Sequence, residues 1–252
     1  MLETQSLDAG IVELRMARPP VNALNPDLLA AIAEGLDKAV ADGAQGIVFS
    51  GAPGMFSAGL DVPYLLTLER PALESAWQAF FTVCSKLAFS PVPVAAAITG
   101  HSPAGGAVMS LFCDYRVMAE GSFRIGLNEV QVGLVVPDPI QAALRRLVGD
   151  YRAERLLVAG AMLESVEALR VGLVDELATP EQVVQTAARF LASHLSLPRS
   201  AMLRTREMAR ADLREAIGKP GSVDLSPFME AWFEDETQQV LGALVARLKS
   251  KK

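Results

Sequence analysis

A stretch without charged side chains, from Leu87 to Cys113, constrains the fold of this 252-residue chain more than any other feature. It is long enough to cross a membrane, but Pro91, Pro93, Pro103 and several glycines interrupt it. Proline removes a backbone donor and breaks a helix, so one continuous apolar helix is excluded. The stretch therefore predicts a buried strand, a turn of small residues and a buried helix.

Strand and helix signals alternate on both sides of this stretch, as in an α/β protein. Alternating apolar residues predict a strand at 11–16, and short apolar runs predict strands at 46–49 and 92–98. Asn25 followed by Pro26 is typical of a helix start, and a further helix is predicted at 71–87. Beyond Pro137 the pattern is helical, with a linker at 218–227 and one long amphipathic helix at 227–252.

Composition excludes several classes of function. The net charge of -6 gives no electrostatic support to nucleic-acid binding. Cys84 and Cys113 lie among apolar residues, which is typical of buried thiols in a reducing compartment. With two histidines and no cysteine pair at ligand spacing, no metal site is expected. The first residues, MLETQSLDAG, lack a secretory signal pattern, so a soluble, cytoplasmic protein without a membrane partner is expected.

The segment from Gly100 to Gly133 is the strongest indication of chemistry. Its small-residue turn precedes a predicted helix, whose first N–H groups have no intrahelical acceptor and favour negative charge. Glu129 follows among apolar neighbours, where desolvation would raise its pKa and make it a proton acceptor near neutral pH. Such a pair could remove a proton next to a carbonyl; a solvated or salt-bridged Glu129 is the alternative from the residues alone.

Several motifs in order resemble the crotonase (enoyl-CoA hydratase/isomerase) superfamily. They are GMFSAGLD, PVPVAAAITGHSPAGGAVMSLFCDYRVMAE and NEVQVGL, and the resemblance runs from VNALN through EALRVGLVDEL. Within that family, RIGLNEVQVGLVVP and the closing ARLK most resemble the mitochondrial-type Δ3,Δ2-enoyl-CoA isomerases. The resemblance implies an α/β spiral of ββα units at 1–195 and a C-terminal helical oligomerisation region at 196–252, forming a homotrimer or a dimer of trimers.

The resemblance also implies an acyl-CoA thioester as substrate and a set of site residues. Two backbone N–H groups, of Leu60 and Gly105, would bind the thioester oxygen, and Glu129 would be the catalytic residue. The residues expected to line the thioester, pantetheine and CoA are Asn22, Ala23, Leu24, Ser57, Ala58, Gly59, Asp61 and Val108. No cofactor is expected apart from the CoA of the substrate.

One departure from the family pattern bears on the reaction. Enoyl-CoA hydratases carry two glutamates that hold water; the first position is Val108 here, and the second is Glu129. The resemblance therefore implies an isomerase that converts 3-enoyl-CoA to 2-trans-enoyl-CoA through a dienolate. The enzymatic alternatives are hydration with one glutamate, and decarboxylation or hydrolysis of a specialised acyl thioester. A non-catalytic acyl-CoA-binding protein is the alternative of another class. The compartment would be the cytoplasm, or the mitochondrial matrix if the protein is eukaryotic.

Overall fold

The computed structural model describes residues 1–250, which form two β-sheets surrounded by helices. The strands are β1 (Leu2–Ser6), β2 (Ile11–Met16), β3 (Gly46–Ser50), β4 (Gly54–Met55), β5 (Val94–Ile98), β6 (Gly100–Pro103), β7 (Tyr115–Ala119), β8 (Arg124–Gly126), β9 (Leu163–Glu164) and β10 (Glu176–Ala178). The helices are α1 (Pro26–Ala41), α2 (Val62–Leu65), α3 (Arg70–Phe89), α4 (Gly105–Leu111), α5 (Asp138–Val148), α6 (Asp150–Ala159), α7 (Ser165–Val171), α8 (Val183–Leu195), α9 (Arg199–Ala209), α10 (Ala211–Ile217), α11 (Ser226–Trp232) and α12 (Asp235–Lys249). Short 3₁₀ helices cover Asp8–Gly10 and Glu129–Val132.

The chain winds as a spiral in which successive turns add one strand to each sheet. The larger sheet has the order β1-β2-β3-β5-β7-β10, and the smaller has the order β4-β6-β8-β9. β3, β5 and β7 are parallel neighbours in the first sheet, and β4, β6 and β8 are parallel neighbours in the second. Each pair, β3–β4, β5–β6 and β7–β8, precedes helical structure, which is the expected ββα repeat.

The predicted helix start at Asn25 is confirmed. The Asn25 side chain accepts a hydrogen bond from the Leu28 N–H at 3.0 Å, and Pro26 occupies the first helical position. The apolar stripe of α1 packs into the core, with Leu28, Leu29 and Ile32 buried. The uncharged stretch also folds as expected, because β5 and α4 are buried along their whole length.

The prediction of a single helix at 227–252 is wrong. α11 ends at Trp232 and α12 begins at Asp235, while Lys251 and Lys252 lie outside the described residues. The break seats two aromatic side chains of α11 against the body: the ring centroids of Phe228 and Trp232 lie 4.1 and 6.1 Å from that of Trp77. The C-terminal helices therefore share the hydrophobic core of the sheets.

Within residues 1–250, no helix combines the length and apolar character needed to cross a membrane.

Candidate active site

Leu60, Gly105 and Glu129 lie beyond the ends of β4, β6 and β8, three parallel neighbours of the smaller sheet. β4 pairs with β6 through Met55 and His101, and β6 pairs with β8 in parallel register. The Ala104 N–H then donates to the Gly126 carbonyl at 2.8 Å, which continues the pairing past the strand ends. Because these strands are parallel neighbours, the segments that follow them leave the smaller sheet at the same edge.

The Gly105 N–H points out of the N-terminus of α4. Ala104 has a left-handed φ of 46°, and its carbonyl accepts the helical hydrogen bond from the Val108 N–H at 2.9 Å. In a planar trans peptide the N–H points opposite to the carbonyl, so the Gly105 N–H points away from the helix. Among residues 1–250 it has no hydrogen-bond acceptor. It is free to bind an anionic oxygen.

The Leu60 N–H is left free by a short parallel bridge between Leu60 and Leu24. The Leu24 N–H donates to the Gly59 carbonyl at 2.8 Å, and the Asp61 N–H donates to the Leu24 carbonyl at 3.0 Å. The Leu60 N–H lies on the far side of the Gly59–Leu60 peptide and finds no acceptor within the described part of the chain.

The segments that carry the two free N–H groups pack closely together through the backbones of Gly59 and Gly105. A Cβ placed on Gly59 would lie 3.1 Å from the Gly105 nitrogen, and Gly59 has φ +81°. A Cβ on Gly105 would lie 3.0 Å from Leu24 Cδ1 and 3.4 Å from Gly59 Cα. Neither position has room for a larger side chain, so both glycines permit the close approach.

Glu129 is buried and incompletely satisfied. It is the first residue of the 3₁₀ helix, is 9% exposed, and its Oε2 has no hydrogen-bond partner among the described residues. Burial raises the pKa of the Glu129 carboxyl to about 7, and a hydrogen bond from its own backbone N–H opposes this rise more weakly. Glu129 is thus a buried carboxyl without a salt bridge among the described residues, and its role as a base stays a prediction.

The apolar residues near Glu129 in sequence differ in exposure. Ile125, Leu127 and Leu134 are buried as expected, Val132 is half-buried, and Val130 is 41% exposed. α12 packs on the 3₁₀ helix, and its Thr237 hydroxyl donates to the Gly133 carbonyl at 2.8 Å. The C-terminal helix therefore covers the Glu129 segment of its own chain.

Val108, one turn after Gly105 on α4, is 1% exposed. At helical spacing its side chain shares a face with Gly105. An apolar group stands where the resemblance placed the first hydratase glutamate, and Glu129 is thus without a neighbouring carboxylate from α4.

The remaining predicted residues build the loop that holds the Leu60 N–H. The Ser57 hydroxyl is buried and donates to the Asn22 carbonyl at 2.8 Å, and the Ala58 N–H donates to the Val21 carbonyl at 2.9 Å. The Asp61 carboxylate caps α2 and pairs with Arg18 Nη2 at 2.9 Å. Ala23 is half-buried and Leu24 is fully buried. Whether these residues contact CoA stays a prediction.

Two polar residues beside the site differ in their partners. His101 is half-buried, and its Nδ1 accepts the Arg124 N–H at 3.1 Å, which is a strand-pairing contact. The Oδ1 of Asn128 is buried and unpartnered in the described chain. Nothing in the local sequence predicts that the Asn128 oxygen, like Glu129 Oε2, is buried without a hydrogen-bond partner in the described chain.

Other parts of the described chain offer no competing centre. No group of three or more histidine, cysteine, aspartate or glutamate side chains there could hold a metal ion. Cys84 and Cys113 are buried free thiols, as expected. A groove of about 1010 Å³ runs along α9 beside Asp114 and Arg206, but Leu60, Gly105 and Glu129 do not line it.

Comparison with known proteins gives the site its context. Residues 6–250 match the family model described as enoyl-CoA hydratase/isomerase. The chain is 34% identical over 248 residues to rat "Enoyl-CoA delta isomerase 1, mitochondrial", covering 97% of this chain and 86% of the relative. It is 32% identical over 198 residues to a probable enoyl-CoA hydratase of Mycobacterium avium, covering 78% of this chain and 77% of the relative.

The fold comparison agrees with the sequence comparison. The structure of human mitochondrial Δ3-Δ2-enoyl-CoA isomerase superimposes with a TM-score of 0.87 at 30% identity, covering 100% of this chain and 99% of that one. The expected crotonase spiral is therefore confirmed. With the family model spanning almost the whole chain and the spiral fold in place, this protein belongs to the enoyl-CoA hydratase/isomerase (crotonase) family.

Proposed function

We propose that this protein is an enoyl-CoA isomerase that converts 3-enoyl-CoA to 2-trans-enoyl-CoA in fatty acid β-oxidation. The observation that carries the proposal is the buried carboxylate of Glu129, whose Oε2 has no partner among the described residues and whose pKa is raised to about 7. Members of the crotonase family act on acyl-CoA thioesters, and one such carboxylate is enough to remove a proton from the acyl group and return it. The isomerase names of the rat and human relatives favour the same reaction.

In the proposed reaction, Glu129 Oε2 removes a proton from C2 of the 3-enoyl thioester. The electrons of that C–H bond move into a dienolate, whose negative charge rests on the thioester oxygen. The Leu60 and Gly105 N–H groups donate hydrogen bonds to that oxygen, where they are worth most in the transition state. The same carboxyl group returns the proton to C4, the double bond moves to C2–C3, and Glu129 is regenerated.

Val108 supports isomerisation over hydration. Water addition needs a group that holds and activates water beside the double bond, and an apolar side chain at this buried position supplies none. Hydratase activity remains the second candidate, because the mycobacterial relative is named a probable hydratase. An acyl-CoA-binding protein without activity is the candidate of another class.

One pair of assays separates these candidates. Purified protein is incubated with 3-hexenoyl-CoA and, separately, with 2-trans-hexenoyl-CoA, and Glu129→Gln is tested beside it. Isomerisation of the first, negligible hydration of the second and loss of turnover with retained CoA-ester binding in the variant support the proposal. Rapid hydration of 2-hexenoyl-CoA would favour the hydratase. Binding without turnover of either substrate would favour a specialised acyl group or a binding protein.

We also propose that the protein forms a homotrimer or a dimer of trimers. Leu197 and Met208, in the C-terminal region expected to form the oligomer, are 50% and 78% exposed, and covering them in a homotrimer or dimer of trimers would remove apolar surface from water. Light scattering after gel filtration tests the subunit number.

Activity is expected without an added cofactor or metal. Assays of the purified protein with no addition test the cofactor, and assays with a chelator test the metal. Relatives with mitochondrial and bacterial names agree with either the matrix or the cytoplasm as its compartment.

A further inference from the structure

Asn22 is buried in the middle of the loop that precedes α1, and its side chain is fully engaged within the protein. It is 1% exposed and has a left-handed φ of 49°. Its Nδ2 donates to the carbonyls of Met16 at 3.1 Å and Phe56 at 3.0 Å, and its Oδ1 accepts the Arg18 N–H at 2.8 Å. The side chain thus joins the end of β2 to the loop that follows β4.

The backbone of Asn22 extends this connection toward the site. Its carbonyl accepts the Ser57 hydroxyl at 2.8 Å, and the Ser57 oxygen accepts the Gly59 N–H at 3.1 Å. Ser57 and Gly59 are buried, so these hydrogen bonds are not exchanged with water and hold their geometry. A continuous polar chain therefore runs from Asn22 to the residue before Leu60.

The same loop sets the direction of the Leu60 N–H. Leu24, two residues after Asn22, accepts from the Asp61 N–H and donates to the Gly59 carbonyl. Because the Gly59–Leu60 peptide is planar and trans, fixing the Gly59 carbonyl toward Leu24 fixes the Leu60 N–H in the opposite direction. A shift of Asn22 would move Leu24 and turn this peptide.

We propose that Asn22 is a positioning residue, which aligns the Leu60 N–H with the thioester oxygen rather than contacting the substrate through its own side chain. This rests on the proposed function, in which that N–H binds the developing negative charge. Asparagine suits the position, since it tolerates a left-handed φ and its amide supplies two donors and an acceptor. Aspartate would keep the acceptor and the φ tolerance but would place a carboxylate against two carbonyl oxygens.

The test uses Asn22→Gly, which keeps the backbone freedom and removes the side chain, and Asn22→Asp, which keeps only the acceptor. Asn25→Ala is the matched control, because it removes the α1 cap from the same loop without touching the Leu60 connections. Two quantities are measured: kcat and KM with 3-hexenoyl-CoA, and the absorption red shift of bound cinnamoyl-CoA. That red shift reports polarisation of the thioester carbonyl by the two N–H groups and needs no turnover.

We expect both Asn22 variants to show a smaller red shift than wild type and a kcat lower by about 10- to 100-fold, less than the loss expected when one donor is removed outright. KM should change by less than about threefold, because the effect is on the transition state. Asn25→Ala should keep the full red shift even where its melting temperature falls.

Other results would overturn the proposal. A folded Asn22 variant with the wild-type red shift and kcat would make the residue merely structural; if Asn22→Gly does not fold, Asn22→Asp decides the question alone. Bound cinnamoyl-CoA without a red shift in wild type would remove the N–H site on which the proposal rests. If wild type does not isomerise 3-hexenoyl-CoA but its red shift falls in the Asn22 variants, the proposed function fails while the role of Asn22 stands.

Discussion

The loop that carries Leu60 and the segment that carries Glu129 both follow strands of the smaller sheet, yet they are stabilised in different ways. Around Leu60, the polar groups of Asn22 and Ser57 are paired, and the free N–H remains because the surrounding bonds fix its direction. Around Glu129, by contrast, the buried Oε2 has no partner within residues 1–250.

Under the proposed function, this difference shows how the two ends of a proton-transfer site would be prepared. A donor to a developing negative charge has to be aligned before the reaction, so a dense hydrogen-bond network suits it. A base has to accept a proton near neutral pH, so desolvation, which a hydrogen-bond network would counteract, suits it. The Leu60 side depends on geometry, and the Glu129 side depends on burial.

The largest expected effect is a loss of kcat on replacing Glu129, compared with replacing Glu13, a buried glutamate that has a hydrogen-bond partner. Glu129→Gln should lower kcat by about 10³-fold or more while CoA-ester binding is retained, because the only base in the proposed site is lost. Glu13→Gln is the matched control: Glu13 is also buried, but it accepts the Ser50 hydroxyl at 2.5 Å in the larger sheet. Steady-state kinetics of both variants checks this, and equal losses would refute a special role for Glu129.

The second prediction tests the geometric side. Gly59→Ala should lower kcat about 10²- to 10³-fold, since a Cβ 3.1 Å from the Gly105 nitrogen would separate the two N–H groups. Gly54→Ala, in the strand β4 that precedes this loop, is the control, because Gly54 has an equivalent φ of +80° and open space around its Cβ position. An equal loss of kcat in both variants would show that strain at positive φ, not the contact with Gly105, is responsible.

The third prediction concerns stability. A pKa of about 7 in the folded state, above the usual 4.5, means that the folded protein holds the Glu129 proton more tightly than the unfolded chain. This contribution to stability is present in full below pH 4.5 and is lost as the pH rises through 7. At pH 8, Glu129→Gln should therefore be more stable than wild type by an amount on the order of 3 kcal/mol, relative to their difference at pH 4. Urea unfolding at both pH values measures it; a pH-independent difference would contradict burial of the charge.

The smallest effect is the pH dependence of catalysis. The logarithm of kcat/KM for wild type should rise with a slope of one below pH about 7 and level off above it, because only ionised Glu129 can accept the C2 proton. Activity at pH 6 should be about a tenth of the plateau. A midpoint near the usual 4.5 would show that Glu129 is solvated in the free protein.

Features with a local physical cause could be predicted from the sequence. The Asn25 cap was predictable because the side chain, the helix start and Pro26 are adjacent. The buried strand and helix of 94–111 follow from the absence of charge interrupted by proline and glycine. For the site, the sequence was enough to predict a buried Glu129 and a turn before Gly105 at a helix start, and the structure has both.

The rest depended on contacts between distant residues. The break between Trp232 and Asp235 contains no proline or glycine that would mark it in the sequence, and the α11 aromatic side chains pack on Trp77 of α3. β4 and β9 have two residues each, too few to show a periodicity. The left-handed φ of Asn22 was compatible with its residue type, but its three partners come from separate parts of the fold.

The most direct test of the central claim follows the proton itself. 3-Hexenoyl-CoA carrying deuterium at C2 is converted in ordinary water, and the 2-trans-enoyl product is examined by NMR and mass spectrometry. A single buried carboxylate that takes and returns the same proton predicts that a substantial fraction of the deuterium appears at C4. Complete replacement by solvent hydrogen at C4, accompanied by the 3-hydroxyacyl product of hydration, would contradict a dry site with Glu129 as its only acid and base.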